Sequence, residues 1–296
     1  MPEFENADQA KEWADAWVAE HVPSALVLAA NQQEREHFVR FNHEYGRFIA
    51  QFETEFTALA ELVDRLNFVD RSAWPAHRFI QYALVACNAK TFLSALDRLV
   101  KGHYEDSITL TRSLYETFVR ALFVSCYPEN AYSVVGKPPK GQRRFNLTNF
   151  LTHDLGLEWD TTYSVMSTFA HSNSYQVTMT LKRAHDRAGD PERLGVEFGF
   201  DGTLSEAAVP FLQFAVLAHL RFSSERLVDG TTLADEPPLS TAREAVHLLS
   251  FVLRDHPKQY WRAVAADLNL LFRMLPVADR REDWKQFLRT ARDESP

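Results

Sequence analysis

Nine large apolar side chains, Phe38, Phe41, Tyr45, Phe48, Phe52, Phe56, Leu59, Val63 and Leu66, recur at intervals of three or four residues. That spacing places them on one stripe of a single helix. It predicts one long helix over residues 31–67 with a near-heptad seam. The seam is strongly aromatic, and bulky side chains pack best against a surface of small ones. The next apolar segment supplies that surface: Ala83, Ala86, Ala89 and Ala95 lie among Phe79, Phe92, Leu93 and Leu96 in a predicted helix over residues 76–100. With residues 69–75 as the turn, the two form an antiparallel helical hairpin. Glycine is scarce, 10 in 296 residues, and a chain with few residues free to adopt positive φ makes few tight turns. Helices are favoured over many short strands.

The same periodicity predicts helices over residues 6–21, 105–127, 147–155, 160–184, 205–228, 241–254, 257–275 and 281–291. One β element is expected, a small ribbon near residues 195–204 with Asp201–Gly202 as its turn. The expected fold class is therefore all-α, a long antiparallel hairpin plus a helical bundle. Residues 1–72 form an N-terminal part and residues 73–296 a bundle, with one continuous domain as the alternative.

The formal net charge is −8. A protein built to grip duplex nucleic acid carries a basic footprint, so that class loses weight, although local basic patches remain compatible with RNA. No basic region followed by an apolar stretch opens the chain. The longest apolar run near the start, residues 25–30, is far short of the roughly 20 residues of a membrane span. A cytoplasmic protein with no membrane partner is expected. Cys87 and Cys126 both fall within apolar helical patterns, which predicts buried free thiols, and no cysteine cluster offers a zinc site.

The helix over residues 105–127 is apolar nearly all round, as a buried helix is, yet Arg112, Glu116 and Arg120 run through it at four-residue spacing. A buried guanidinium requires a partner, so Arg112 is expected to pair with Glu116 or with a group from another helix. Tyr115 lies beside them. A second polar row, Tyr163, Ser167 and His171, shares one face of a later helix. It offers a phenol, a hydroxyl and an imidazole that can bind a ligand, relay protons or simply satisfy Arg112 and Glu116. A ligand or catalytic site and a register-setting polar contact both fit these residues.

The stretch Gly102 to Glu116, then Tyr127-Pro128-Glu129, then Tyr163-x3-Ser167-x3-His171, resembles a bacterial helical family known as domain of unknown function 5677. The likeness covers roughly residues 79–175. It rests on an R-x-L-x-E helix followed by a Y-x3-S-x3-H helix, and it implies a site at those rows without implying a reaction. Such bundles are also broadly similar to the HEPN class, whose ribonucleases act in toxin and phage-defence systems. The HEPN spacing of Arg and His has one match, Arg71 to His77, which Pro75 places in a turn rather than on a helix face. A HEPN-like site would instead need Arg112 and His171 from separate helices.

Other motifs are weaker. Glu34/His37 and Glu244/His247 have the E-x-x-H spacing of di-iron bundles, but glutamate and histidine are common enough here for chance to supply them, and no metal or cofactor is expected. The glycines Gly136 and Gly141 are spaced as in a phosphate-binding loop, but Gln142 and Arg143 stand where Lys and Ser/Thr belong. The loop is nonetheless basic, with Lys140, Arg143 and Arg144 as candidate phosphate contacts.

Two functions stay open. The first is a ligand- or partner-binding bundle, with bacterial stress or phage defence as its setting, that forms a homodimer through its long N-terminal helix and takes RNA or a small anionic ligand. The second is a HEPN-like metal-independent ribonuclease. In it His171 acts as general acid or base, Arg112 steadies the phosphorane charge with Glu116 beside it, and Lys140, Arg143 and Arg144 guide the backbone.

Overall fold

The computed structural model describes residues 9, 11–13, 15, 16, 25–136, 138, 140, 141, 143–155, 163, 166, 167 and 202–228. These are overwhelmingly helical and contain no strand, so the all-α class holds. Five long helices organise them: α1 (Ala25–Phe68), α2 (Ala76–Ala86), α3 (Ala89–Val100), α4 (Tyr104–Cys126) and α5 (Gly202–Phe222). A 3-10 segment, Pro128–Val134, follows α4. Wide helical turns close Phe150–Asp154 and Ser223–Leu227. Of the ribbon expected near residues 195–204, residues 202–204 are instead the first turn of α5, and the rest lies outside the described residues. The helices expected over residues 241–254, 257–275 and 281–291 also lie outside them.

The aromatic seam builds α1 as its spacing demands, with one correction. Tyr45 leaves helical geometry (φ −119, ψ 20), so the predicted single helix is two helices joined at a kink. Gly46 follows at once, and glycine is the residue that least resists a departure from helical geometry. Rings stack along the seam on both sides of the kink. Phe41 lies 4.9 Å from Tyr45, and Phe52 lies 6.1 Å from Phe56 with the ring planes nearly parallel. The seam continues onto Phe92 of α3, 6.0 Å from Phe56, as the hairpin reading requires. The larger share of α1's packing is against α5.

A second correction concerns residues 76–100, predicted as one helix. The chain turns at Cys87 and Asn88 and separates α2 from α3. Asn88 is buried and its side-chain amide donates to His219 Nε2 of α5 at 3.0 Å. Holding that amide inward is compatible with a turn and replaces helix continuity. The same turn leaves Cys87 exposed, against the expectation of burial, while Cys126 is buried and both are free. Residues 76–100 as a whole reach the length and hydropathy of a membrane span, but two short helices with buried Gln81 and Asn88 replace it.

From α3 to α4 the chain reverses at Gly102. His103 N donates to Arg98 O at 2.9 Å and Gly102 N to Leu99 O at 3.1 Å, the paired bonds of a Schellman cap. Gly102 has φ +88, a value that L side chains resist. α4 then runs through the middle of the bundle, with α3, α5 and α2 packed along it. Leu114, Phe118, Val119, Leu122 and Phe123 are almost wholly buried.

Polar ties fix the register of these helices. His37 of α1 faces Val100 O through Nδ1 at 2.8 Å and the Tyr104 hydroxyl through Nε2 at 2.7 Å. Since a carbonyl only accepts, Nδ1 carries the proton and Nε2 accepts from Tyr104. Ser205 of α5 donates in turn to Tyr104 at 2.8 Å. Glu34, the other half of that E-x-x-H pair, meets His103 at 2.8 Å, so the pair ties α1 to the start of α4. No group of residues suited to a metal ion occurs among the described residues.

Two buried ionisable groups oppose one another in pH. Glu55 of α1 accepts hydrogen bonds from Gln51 and from Gln213 of α5. Burial pushes its pKa up to about 7, against the lowering effect of those bonds. Burial likewise pushes His219 down to about 4, against its bond to Ala215 O. The fold therefore favours protonated Glu55, whose stabilisation is full below pH 4.5 and lost as pH rises through 7. It favours neutral His219, whose stabilisation is full above pH 6.5 and lost as pH falls through 4. Between about pH 4.5 and 6.5 the two slopes cancel. Glu55→Gln should uncover the His219 slope, with stability rising by on the order of 1 kcal/mol per pH unit across that window. His219→Asn should uncover the opposite slope. Urea unfolding at half-unit pH steps checks this, and parallel curves for all three proteins would refute it.

Candidate functional site

α4 is apolar on nearly every side, and the polar row it carries comes to the edge of the bundle. The Arg112 and Glu116 side chains are 18% and 26% exposed, shielded rather than sealed inside. Arg112 Nε donates to Glu116 Oε1 at 3.0 Å. One helical turn separates them, so the pair forms within α4 itself. Tyr163 closes the cluster from a separate segment. Its hydroxyl donates to the same Glu116 oxygen at 2.9 Å and accepts from Arg112 Nη2 at 2.6 Å. The Arg112 guanidinium also lies over the Tyr163 ring, 4.8 Å from its centre. Each of the three residues therefore touches the other two.

The electrostatics follow from this geometry. One positive and one negative charge offset each other, and the phenol bridges them. Burial raises the Tyr163 pKa, and its bond to Glu116 raises it further against the lowering pull of Arg112. The phenol therefore stays protonated at neutral pH. Both bonds to Glu116 fall on Oε1, so Oε2 keeps its accepting capacity on a partly exposed carboxylate. Ser167, one turn after Tyr163, has a buried Oγ with no hydrogen-bonding partner. Buried hydroxyls are normally satisfied.

The remaining predicted residues take different positions. Tyr115 is 2% exposed, and its ring packs 6.3 Å from Tyr163 and 6.1 Å from Phe214 of α5. It backs the cluster as a wall. Arg120 turns away, donating to Val134 O at 3.0 Å. His171 lies outside the described residues. Lys140, Arg143 and Arg144 are all exposed, but Arg143 is committed: it binds Asp154 at 2.6 Å, stacks on Tyr127 at 4.8 Å, and its backbone N–H donates to Asn130 at 3.0 Å. No hydrogen bond, ion pair or ring contact joins this loop to the Arg112 cluster among the described residues. Arg71 and His77 fall on either side of the turn into α2. Arg71 is held by Asn67 O at 3.2 Å, and no contact joins it to His77 among the described residues.

Sequence reasoning missed the second set of buried polar groups. Glu55 stands between Phe52 and Leu59 at the spacing of the seam itself, and Gln213 and His219 interrupt an otherwise apolar run in α5. Polar residues at core register are the signal that marks them.

Family models, curated proteins and solved structures contain no match to this chain, so its chemistry is read from its own geometry.

Because Arg112 and Tyr163 donate to one oxygen, their contributions should overlap. Arg112→Ala should destabilise the fold by about 1–2 kcal/mol and Tyr163→Phe by about 1 kcal/mol, after allowance for partial solvent screening. The double variant should lose less than the sum, a coupling that denaturant unfolding of the four proteins reads directly.

Proposed function

We propose that this chain is a helical ligand-binding protein whose site is formed by Arg112, Glu116, Tyr163 and Ser167. One observation carries the reading: the Arg112–Glu116–Tyr163 cluster at the bundle edge leaves one carboxylate oxygen, Glu116 Oε2, outside its bonds, and Ser167, one helical turn from Tyr163, has a buried hydroxyl with no partner. Such a site suits a small molecule that donates hydrogen bonds, through hydroxyl or ammonium groups, and accepts one from Ser167. An anionic ligand fits less well, because Glu116 already neutralises Arg112 and would repel it. The family resemblance supports the same site, since Arg112 and Glu116 of its R-x-L-x-E row meet Tyr163, the first residue of its second row.

The ribonuclease reading is the weaker one. A guanidinium whose Nε and Nη2 are held by a carboxylate and a phenol offers less positive charge to a phosphorane. A cytoplasmic location belongs to the ligand-binding reading, supported by the two free thiols. So does a homodimer through α1, supported by Phe38 and Val39, which are 48% and 68% exposed.

A thermal-shift panel of polyols, amino alcohols, amines, carboxylates and phosphates tests the assignment. A donor-bearing compound at a hundredfold excess over its Kd should stabilise the protein by roughly 3 kcal/mol, and Glu116→Gln and Ser167→Ala should each remove that shift. Stabilisation by carboxylates or phosphates alone, persisting in Glu116→Gln, would overturn it. RNA cleavage by the purified protein that Arg112→Ala abolishes would restore the nuclease reading.

A further inference from the structure

A cleft lies where the aromatic seam of α1 faces the break between α2 and α3. Phe56, Leu59, Val63, Val85, Ala86 and Ala89 form an open cleft of about 190 Å3. Its origin is legible in the chain. The break at Cys87–Asn88 is pinned by the bond from Asn88 to His219. Ala86 and Ala89 flank that break, and their methyl groups leave space across from the large side chains of α1. Phe56 is fixed at one end by its contacts with Phe52 and Phe92.

The cleft is apolar except at one end, where Asp64 and Asn67 line it. Asn67 Oδ1 already accepts a hydrogen bond from the Tyr82 hydroxyl. Asp64 is exposed and makes no ion pair among the described residues. It is the one charged side chain in the lining. The space, the apolar walls and the single unneutralised carboxylate specify a ligand by their chemistry. We infer that this cleft binds a small amphipathic amine, with an apolar body about the size of one aromatic ring and an ammonium group on Asp64. The size follows from cavities of about 150 Å3, which hold a benzene ring. The ammonium follows from charge complementarity: a carboxylate at the rim of an apolar site attracts a cation more strongly than it would in open water. A carboxylate-bearing ligand is repelled by the same group.

This site shares no residue with the Arg112 cluster, so the two are tested apart. Isothermal titration of the full chain with 2-phenylethylammonium and with 2-phenylethanol compares a charged ligand with a neutral one of matched shape. The amine should bind about tenfold more tightly or better. Asp64→Asn, at an exposed position, should erase that preference by weakening the amine about tenfold more than the alcohol. Ala89→Leu should weaken both ligands by filling the cleft. Equal affinity of the two ligands for the parent protein, an amine preference that survives Asp64→Asn, or the absence of binding by either ligand would overturn the assignment. So would loss of amine binding in Glu116→Gln with retention in Asp64→Asn, which would place the amine at the other site.

Discussion

Asn88 donates one hydrogen bond to His219 in the interior, and the course of the chain on both sides answers to it. His219 is fully buried, and its Nδ1 is spent on Ala215 O within α5, so the only ring atom left to satisfy is an accepting Nε2. The Asn88 amide satisfies it at 3.0 Å. An apolar residue at position 88 would leave a buried acceptor unpaired, at a cost of roughly 1–3 kcal/mol. Continuing the helix through residues 87 and 88 would redirect the amide. Breaking that helix gives up a turn of backbone bonding, lets α3 lie along α4, and opens the cleft beside Ala86 and Ala89.

Such a break is hard to read from sequence because the apolar period is preserved across it. Phe79, Leu93 and Leu96 keep helical spacing through residues 76–100, and nothing but a lone asparagine interrupts the pattern. Asparagine inside a helix usually signals a solvent-facing position; here its partner lies 131 residues later. The kink at Tyr45 escapes for the same reason, since a period of three and four survives a local change in φ and ψ. What sequence does convey is what a period can express: the seam of α1, the all-round burial of α4, and the pairing of Arg112 with Glu116 one turn apart. The third member of that cluster was legible as a row, Tyr163 and Ser167, because the two share a face. That the row meets Glu116 is a tertiary fact, fixed by packing between helices distant in sequence.

Buried ionisable groups would ordinarily make this fold sensitive to pH, and their chemistry limits the effect. A carboxyl pushed up to about 7 and an imidazole held neutral both limit the charge placed in the interior. Glu55 and His219 sit on α1 and α5, the two helices that pack most extensively around the seam, and each is satisfied by an amide, from Gln213 and Asn88 respectively. An amide can donate to either group without adding a charge. Neutral partners for neutral groups let polar residues specify register without a buried ion pair, whose desolvation often exceeds its attraction.

The Arg112 cluster obeys a different rule because it reaches the edge. There the charges stay, since water still reaches the carboxylate and a guanidinium cannot shed its proton. Keeping them requires that each be neutralised locally, and the phenol of Tyr163 extends this by donating to the acid while accepting from the base. A cluster satisfied in this way is held rigidly, with its donors and acceptors already aimed before any ligand arrives. Preorganisation of that kind favours recognition, where ordering costs are avoided in advance.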